Sequence, residues 1–183
     1  MSDTDSRQAL RERLLVDRER FGASAASASA QAALAVTLDD VLRQLEPDCL
    51  GSYWPIRFEF TPSVAPFAQQ GLALPYARRV PREMHYRRWD GREPTIRDEC
   101  GIPSTEGAPV VPDVVLVPCV GYTDTLYRLG DGGGYFARWL AAHPGVTAVG
   151  VAWSIGRLAD ADFRPGPQDL PLSLIVTEHG VTG

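Results

Sequence analysis

The chain contains no lysine; all 18 of its basic residues are arginine. That excludes a Schiff-base lysine and a Walker-type phosphate loop, whose terminal lysine reaches the β- and γ-phosphates. An anion bound here is left to guanidinium forks, backbone N–H groups or a metal. Cysteine is scarce as well. Cys49, Cys100 and Cys119 are scattered, with no CxxC pair and no matching histidine spacing, so neither a disulfide framework nor a zinc site is expected, and the thiols read as reduced in a cytoplasmic protein. The three histidines, His85, His143 and His179, share no ligand spacing and read as surface or strand-end residues. No apolar run approaches the roughly 18 residues needed to cross a bilayer, and the N-terminus is polar and charged, so a soluble, unexported protein without a membrane partner is expected. A basic excess is missing too: the net charge of −5 argues against a phosphate-backbone binder and hence against nucleic acid as a partner.

What is present fits one domain spanning residues 1–183. Residues 5–21 carry Leu10 and Leu14 at helical spacing, with Arg7, Arg11 and Arg18 on a shared face. That face is either solvated or turned towards an anion. The Ala/Ser-rich stretch GASAASASA follows, as a linker or as the start of an Ala-rich helix. Thr37 and Asp40 resemble a capping box ahead of Val41, Leu42 and Leu45, which predicts a helix ending near Glu46, before Pro47. From Cys49 onwards the texture changes. CLGSYWPI, GLALPYARRV, EMHYRRW, DVVLVPCVGY, TAVGVAWS and LSLIVTEHG each read as a strand or a strand plus turn. DVVLVPCV and VTAVGVAW are nearly continuous apolar runs, as interior strands covered on both faces require. A helix over residues 134–142 joins those two strands into a βαβ unit, and the whole predicts an α/β sheet with helices on both faces. Trp89 and Trp139 read as packing residues.

The stretch YRLGDGGGYFARWL, residues 127–140, places Gly130, Gly132, Gly133 and Gly134 around Asp131 at a strand-to-helix junction. Glycines at such density allow close backbone approach or positive φ. A junction of this kind is where N–H groups and the helix dipole converge on a phosphate. The pattern is neither GxGxxG nor GxxxxGK[ST], so a plain tight turn stays open beside the phosphate loop. Arg128 and Arg138 flank it and favour the phosphate.

These residues resemble the signature of the 5-formyltetrahydrofolate cyclo-ligase (5,10-methenyltetrahydrofolate synthetase) family, R-L-G-Y-G-x-G-Y-Y-D-R followed by an apolar helix. RQALR resembles that family's K-x-x-L-R helix and GSYWPIRFEF its Y-x-P-x-x-x-E strand. GLALPYARRVPREMHYRRW, CGIPSTEGAPVVPDVVLVPCVGY and GPQDLPLSLIVTEHG resemble three further landmarks, all in the family's order along nearly the whole chain. The resemblance implies a three-layer αβα sandwich of the ribose-phosphate isomerase and CoA-transferase type (NagB/RpiA/CoA-transferase-like), with N-terminal helices. It implies an ATP-dependent, Mg²⁺-requiring reaction on 5-formyltetrahydrofolate, run by a monomer or weak dimer. It implies ATP contacts from Arg7, Arg11, Arg128, Gly130, Gly132, Gly133, Gly134, Tyr135 and Arg138, with Arg138 and Tyr135 closest to the chemistry. Folate contacts are implied for Tyr53, Trp54, Glu59 and Tyr135, and metal contacts for Asp131 and Asp169. Arg7 stands where the family has lysine. Asp131 replaces a tyrosine between the glycines, Phe136 and Ala137 replace Tyr-Asp, and Ser173 replaces an aspartate in the closing segment. Either Asp131 takes over the lost metal ligand, or the chain is a diverged, non-catalytic paralogue that binds a folate or nucleotide.

Overall fold

The computed structural model describes residues 3–166 and 169–183. In chain order the elements are α1 (Asp3–Gly22), α2 (Ser27–Leu45), β1 (Cys49–Gly51), β2 (Gly71–Arg78), β3 (Glu83–Trp89), β4 (Ile96–Arg97), β5 (Pro103–Ser104), β6 (Pro109–Val110), β7 (Val114–Pro118), β8 (Gly121–Thr123), β9 (Arg128–Leu129), α3 (Tyr135–Ala142), β10 (Thr147–Val151), β11 (Arg157–Leu158), β12 (Leu174–Thr177) and β13 (Gly180–Thr182). Eight strands form the main sheet in the order β13-β12-β10-β7-β1-β2-β3-β6. The strands from β12 to β2 in that order run parallel, and β13, β3 and β6 add antiparallel edges.

Strand alternation divides the core in two. Val114 and Leu116 of β7 join Val149 and Val151 of β10 against Ala30, Leu34, Leu38 and Leu42 of α2. Val115 and Val117 point the other way, to Trp139 and Leu140 of α3. Successive strand side chains alternate faces, so a nearly continuous apolar run is the pattern of a strand covered on both sides. The αβα sandwich implied by the sequence is the observed fold.

The expected capping box at Thr37 and Asp40 is not a helix start. Helix α2 begins ten residues earlier, at Ser27, and the Thr37 hydroxyl donates to the Ala33 carbonyl at 3.1 Å, one turn back within the helix. Alanine is the best helix former, and Ala30 and Leu34 extend the stripe of Leu38 and Leu42, so burial carries the helix through the Ala/Ser stretch. Its end lies where expected. Glu46 adopts φ 47° and its N–H bonds the Leu42 carbonyl ahead of Pro47. The glycine-rich loop also leaves a different strand. Strands β8 and β9 are inserted between β7 and α3, where they form a small sheet with the later β11, and the loop departs from β9. Among the described residues no single helix is long and apolar enough to cross a membrane.

Candidate functional site

Strand β1 is paired with β2 on one side and β7 on the other. The chain therefore proceeds outward in both directions from β1, and the C-terminal ends of such strands open a crevice at the point of divergence. A cavity of about 500 Å³ lies at this end of the sheet, with Tyr53 and Trp54 just beyond β1 and Pro118 at the end of β7 on its wall. Helix α1 contributes Arg7 and Arg11, and β9 with the segment after it contributes every residue from Arg128 to Ala137. The turn between β4 and β5 adds Cys100 and Ile102. It is held by the Asp98 carboxylate, which accepts the N–H groups of Cys100 at 2.8 Å, Ile102 at 2.9 Å and Ala77 at 3.2 Å.

The glycine loop owes its shape to local backbone geometry. Gly132 has φ 98° and Gly134 φ 68°, conformations that side-chain-bearing residues rarely adopt. Gly134 also precedes the first turn of α3, which no side chain among the described residues caps, and the amides of a first turn have no intrahelical partner. Two arginines fix the loop through its carbonyls. Arg11 Nε donates to Gly130 O at 2.7 Å. Arg138 Nη2 donates to Gly133 O at 2.8 Å while its Nε donates to Arg82 O at 3.1 Å. Arg138 thus braces the loop and is absent from the cavity wall, whereas Arg7, Arg11 and Arg128 are on it.

Arg128 is the cation that the site leaves most available. Among the described residues no carboxylate pairs with it, and its guanidinium carbon lies 5.8 Å from the centre of the Phe136 ring. Burial lowers its pKa from the ordinary arginine value, partly offset by Cys119 and Asp169. Arg11 is lowered by burial and by its neighbour Arg7. Arg7 is ion-paired with Asp169 and lies 4.7 Å over the Phe163 ring. Asp169 also accepts the Gly166 N–H at 2.7 Å.

Asp131, for which the resemblance implies a metal contact inside the phosphate loop, is paired. Its Oδ1 lies 3.2 Å from Arg57 Nη1. Arg57 belongs to a loop in which two successive residues without glycine's freedom adopt left-handed backbone, Arg57 at φ 46° and Phe58 at φ 60°. Conformations of this kind persist where the surroundings over-determine them. Here Trp153 Nε1 donates to the Phe58 carbonyl at 2.8 Å. The Phe58 ring also fills the space where a Cβ on Gly22 would stand, 2.4 Å away, which accounts for glycine at the end of α1. The same loop delivers Glu59. Its Oε2 accepts the Ile56 N–H at 3.0 Å and its Oε1 lies 3.5 Å from Arg18 Nη1. Burial pushes the Glu59 carboxyl up to about 7, against the lowering effects of the Ile56 N–H and Arg18.

Tyr53 is buried and its hydroxyl donates to the Phe60 carbonyl at 2.8 Å, so one edge of the ring supports the strained loop while the other lines the cavity. Trp54 is half-buried on the wall. The Tyr135 hydroxyl lies 3.2 Å from Cys100 Sγ, and this hydrogen bond raises the pKa of Tyr135. Phe136 packs into both core clusters, and Ala137 presents a methyl group to the cavity. Ser173 has a structural task, its hydroxyl accepting the Ala148 N–H at 3.0 Å.

As a resident metal centre the donor set does not fit. Among the described residues no three His, Cys, Asp or Glu side chains cluster for a cation. Asp131 and Asp169 are each already neutralised by an arginine. Of the expected site residues, all but Arg138 meet in one cavity. Arg57 and Cys100 were not anticipated. Arg57 sits inside the Y-x-P-x-x-x-E segment, but its left-handed backbone carries no compositional signal.

No family model matches the chain. A 5-formyltetrahydrofolate cyclo-ligase from Mycoplasma pneumoniae is 35% identical over 68 residues, which are 37% of this chain and 40% of that relative's length. The aligned segment therefore spans about two fifths of each protein. Among the solved structures that the chain resembles, two illustrate a match over nearly its whole length. A 5,10-methenyltetrahydrofolate synthetase from Mycoplasma pneumoniae superposes with a TM-score of 0.76 at 22% identity, covering 94% of this chain and 98% of that one. A 5,10-methenyltetrahydrofolate synthetase from Aquifex aeolicus superposes with a TM-score of 0.74 at 24% identity, covering 96% and 91% respectively. The chain resembles 5-formyltetrahydrofolate cyclo-ligases in sequence, and its fold is that of the 5,10-methenyltetrahydrofolate synthetase structures.

Proposed function

We propose that the chain, acting as one domain, is an ATP-dependent cyclo-ligase that converts 5-formyltetrahydrofolate to 5,10-methenyltetrahydrofolate. The observation that carries this reading is the meeting, in one cavity of a matching fold, of a glycine loop and the wall arginines Arg7, Arg11 and Arg128 with Tyr53, Trp54 and the buried Glu59. Phosphoryl transfer needs positioning and charge neutralisation more than a protein nucleophile. The formyl oxygen attacks the γ-phosphorus of ATP and ADP departs. N10 then attacks the activated formyl carbon, losing its proton, and the C–O bond breaks to release phosphate. Arg7, Arg11 and Arg128 face the phosphates, and the loop amides between Gly130 and Tyr135 close around them. Mg²⁺ enters with ATP as part of that substrate, held chiefly by phosphate oxygens. Tyr53, Trp54 and Tyr135 border the folate ring, and Glu59 accepts a hydrogen bond from its N–H groups. Arg138 supports the reaction by bracing the loop.

The test follows methenyltetrahydrofolate absorbance with purified protein, 5-formyltetrahydrofolate, ATP and Mg²⁺. Turnover above a protein-free blank is expected, and folded protein without turnover refutes the enzyme reading. Ala137, in place of an acid, favours a second reading: a diverged paralogue that binds a folate or nucleotide without reaction. That reading requires a thermal shift with folate or nucleotide and no phosphate release.

A further inference from the structure

Arg18 is almost fully enclosed, with 3% of its side chain exposed, and none of its three guanidinium nitrogens has a hydrogen-bond partner. A buried guanidinium without partners is costly and demands an explanation. Arg18 shares the helical face of Arg7 and Arg11, but while those two reach the cavity, it stands behind the wall. Its Nη1 approaches Oε1 of Glu59 at 3.5 Å, too long for a hydrogen bond and close enough for strong charge attraction in a dry setting. Glu59 is itself only 8% exposed, and it is on the cavity wall.

We propose that Arg18 is a positioning residue acting through Glu59, supplying the buried positive charge that lets Glu59 face the cavity as a carboxylate. The groups facing Glu59 support this. From its own loop come the Ile56 N–H and Arg57, from the glycine loop Asp131, and from the segment after β1 Tyr53, whose hydroxyl is already donated to Phe60. Arg57 is compensated by Asp131, so Arg18 is the counter-charge with no other carboxylate partner among the described residues. Burial alone drives the Glu59 carboxyl towards its neutral form, and Arg18 acts against it. A carboxylate only accepts hydrogen bonds, whereas a protonated carboxyl also donates one, so Arg18 decides which ligand edge Glu59 reads. Where the ligand is a folate, as the proposed function holds, its N–H-bearing edge requires the ionised form.

The decisive experiment titrates the Glu59 side-chain carboxyl carbon by NMR in the ligand-free full chain, comparing wild type with Arg18→Met and Arg18→Lys. The Met variant is expected to raise the Glu59 midpoint by about one to three pH units. The Lys variant is expected to keep it within roughly one unit of wild type. An unchanged midpoint in Arg18→Met overturns the proposal. If Arg18→Met does not fold, Arg18→Gln serves the same comparison with the same two outcomes. A second readout is the pH dependence of 5-formyltetrahydrofolate binding, in which loss of affinity on acidification moves to higher pH in step with the NMR midpoint. The titration needs no substrate, so it decides the role of Arg18 even if the chain proves to lack cyclo-ligase activity. Midpoints that move without any folate binding refute the folate assignment and leave the Arg18 assignment standing.

Discussion

Replacing Glu59 with glutamine tests the electrostatics of the cavity through protein stability. The folded protein holds the Glu59 proton up to about pH 7 because burial disfavours the carboxylate, whereas the unfolded chain releases it near the ordinary value of 4.5. Between these limits the folded state binds more protons than the unfolded state, so stability falls as pH rises. The contribution is fully present below pH 4.5 and is lost as the pH passes through 7. A displacement of about 2.5 units at 1.36 kcal/mol per unit amounts to about 3 kcal/mol across the window. A glutamine amide does not titrate, so the Glu59→Gln variant lacks this slope. Urea unfolding measured from pH 5 to 8 is the assay. With a slope of about 2 kcal/mol per molar urea, the wild-type midpoint should drop by about 1.5 M more than that of Glu59→Gln across the range. All other titrating groups are shared, so the difference isolates Glu59. Parallel curves refute the reasoning, because they require Glu59 to be ionised in the fold at pH 5.

Other perturbations discriminate between parts of the site and fold. Arg128→Met removes a wall cation that lacks a carboxylate partner, and should lower kcat/KM for ATP by about 10²–10³-fold with circular dichroism unchanged. Gly134→Ala places a Cβ at φ 68° and 2.6 Å from Arg138 Nη1, so thermal unfolding should show a loss of roughly 1–2 kcal/mol, accompanied by weaker nucleotide binding. Thr37→Ala should change stability by no more than about 0.5 kcal/mol, because Thr37 is inside α2; a loss of about 1 kcal/mol or more is the sign of a true cap. Asp131→Tyr alone breaks the pair with Arg57. Abolished turnover assigns Asp131 a working role in the loop, while a gain on adding Ala137→Asp shows that the present loop is a degraded one.

The legible parts of the fold were those whose physics is local. The apolar runs at Val114–Pro118 and Thr147–Val151 are interior strands because both of their faces are covered. The helix at Tyr135–Ala142 follows a glycine-rich junction, as its composition suggests. The start of α2 stays open in the sequence between a linker and an Ala-rich helix because an Ala/Ser run has too little contrast between faces, and the Leu34 stripe packing on the sheet decides for the helix. The β8–β9 insertion was likewise hidden, since its short strands pair with each other and with the distant β11 rather than with the main sheet. The cavity was legible through resemblance, residue by residue. Two of its ion pairs were not, because Arg57–Asp131 and Arg18–Glu59 join segments distant in sequence and depend on a left-handed turn at Arg57 and Phe58. Asp131 thus changes meaning between sequence and structure: an isolated anion in a phosphate loop becomes half of a bridge between two loops.

The measurement that tests the central claim most directly counts products in a single-turnover mixture of excess protein, 5-formyltetrahydrofolate, ATP and Mg²⁺. The account expects methenyltetrahydrofolate, ADP and phosphate to appear in equal amounts, with nothing formed when ATP is omitted. Bound folate and nucleotide with no ADP released contradicts it.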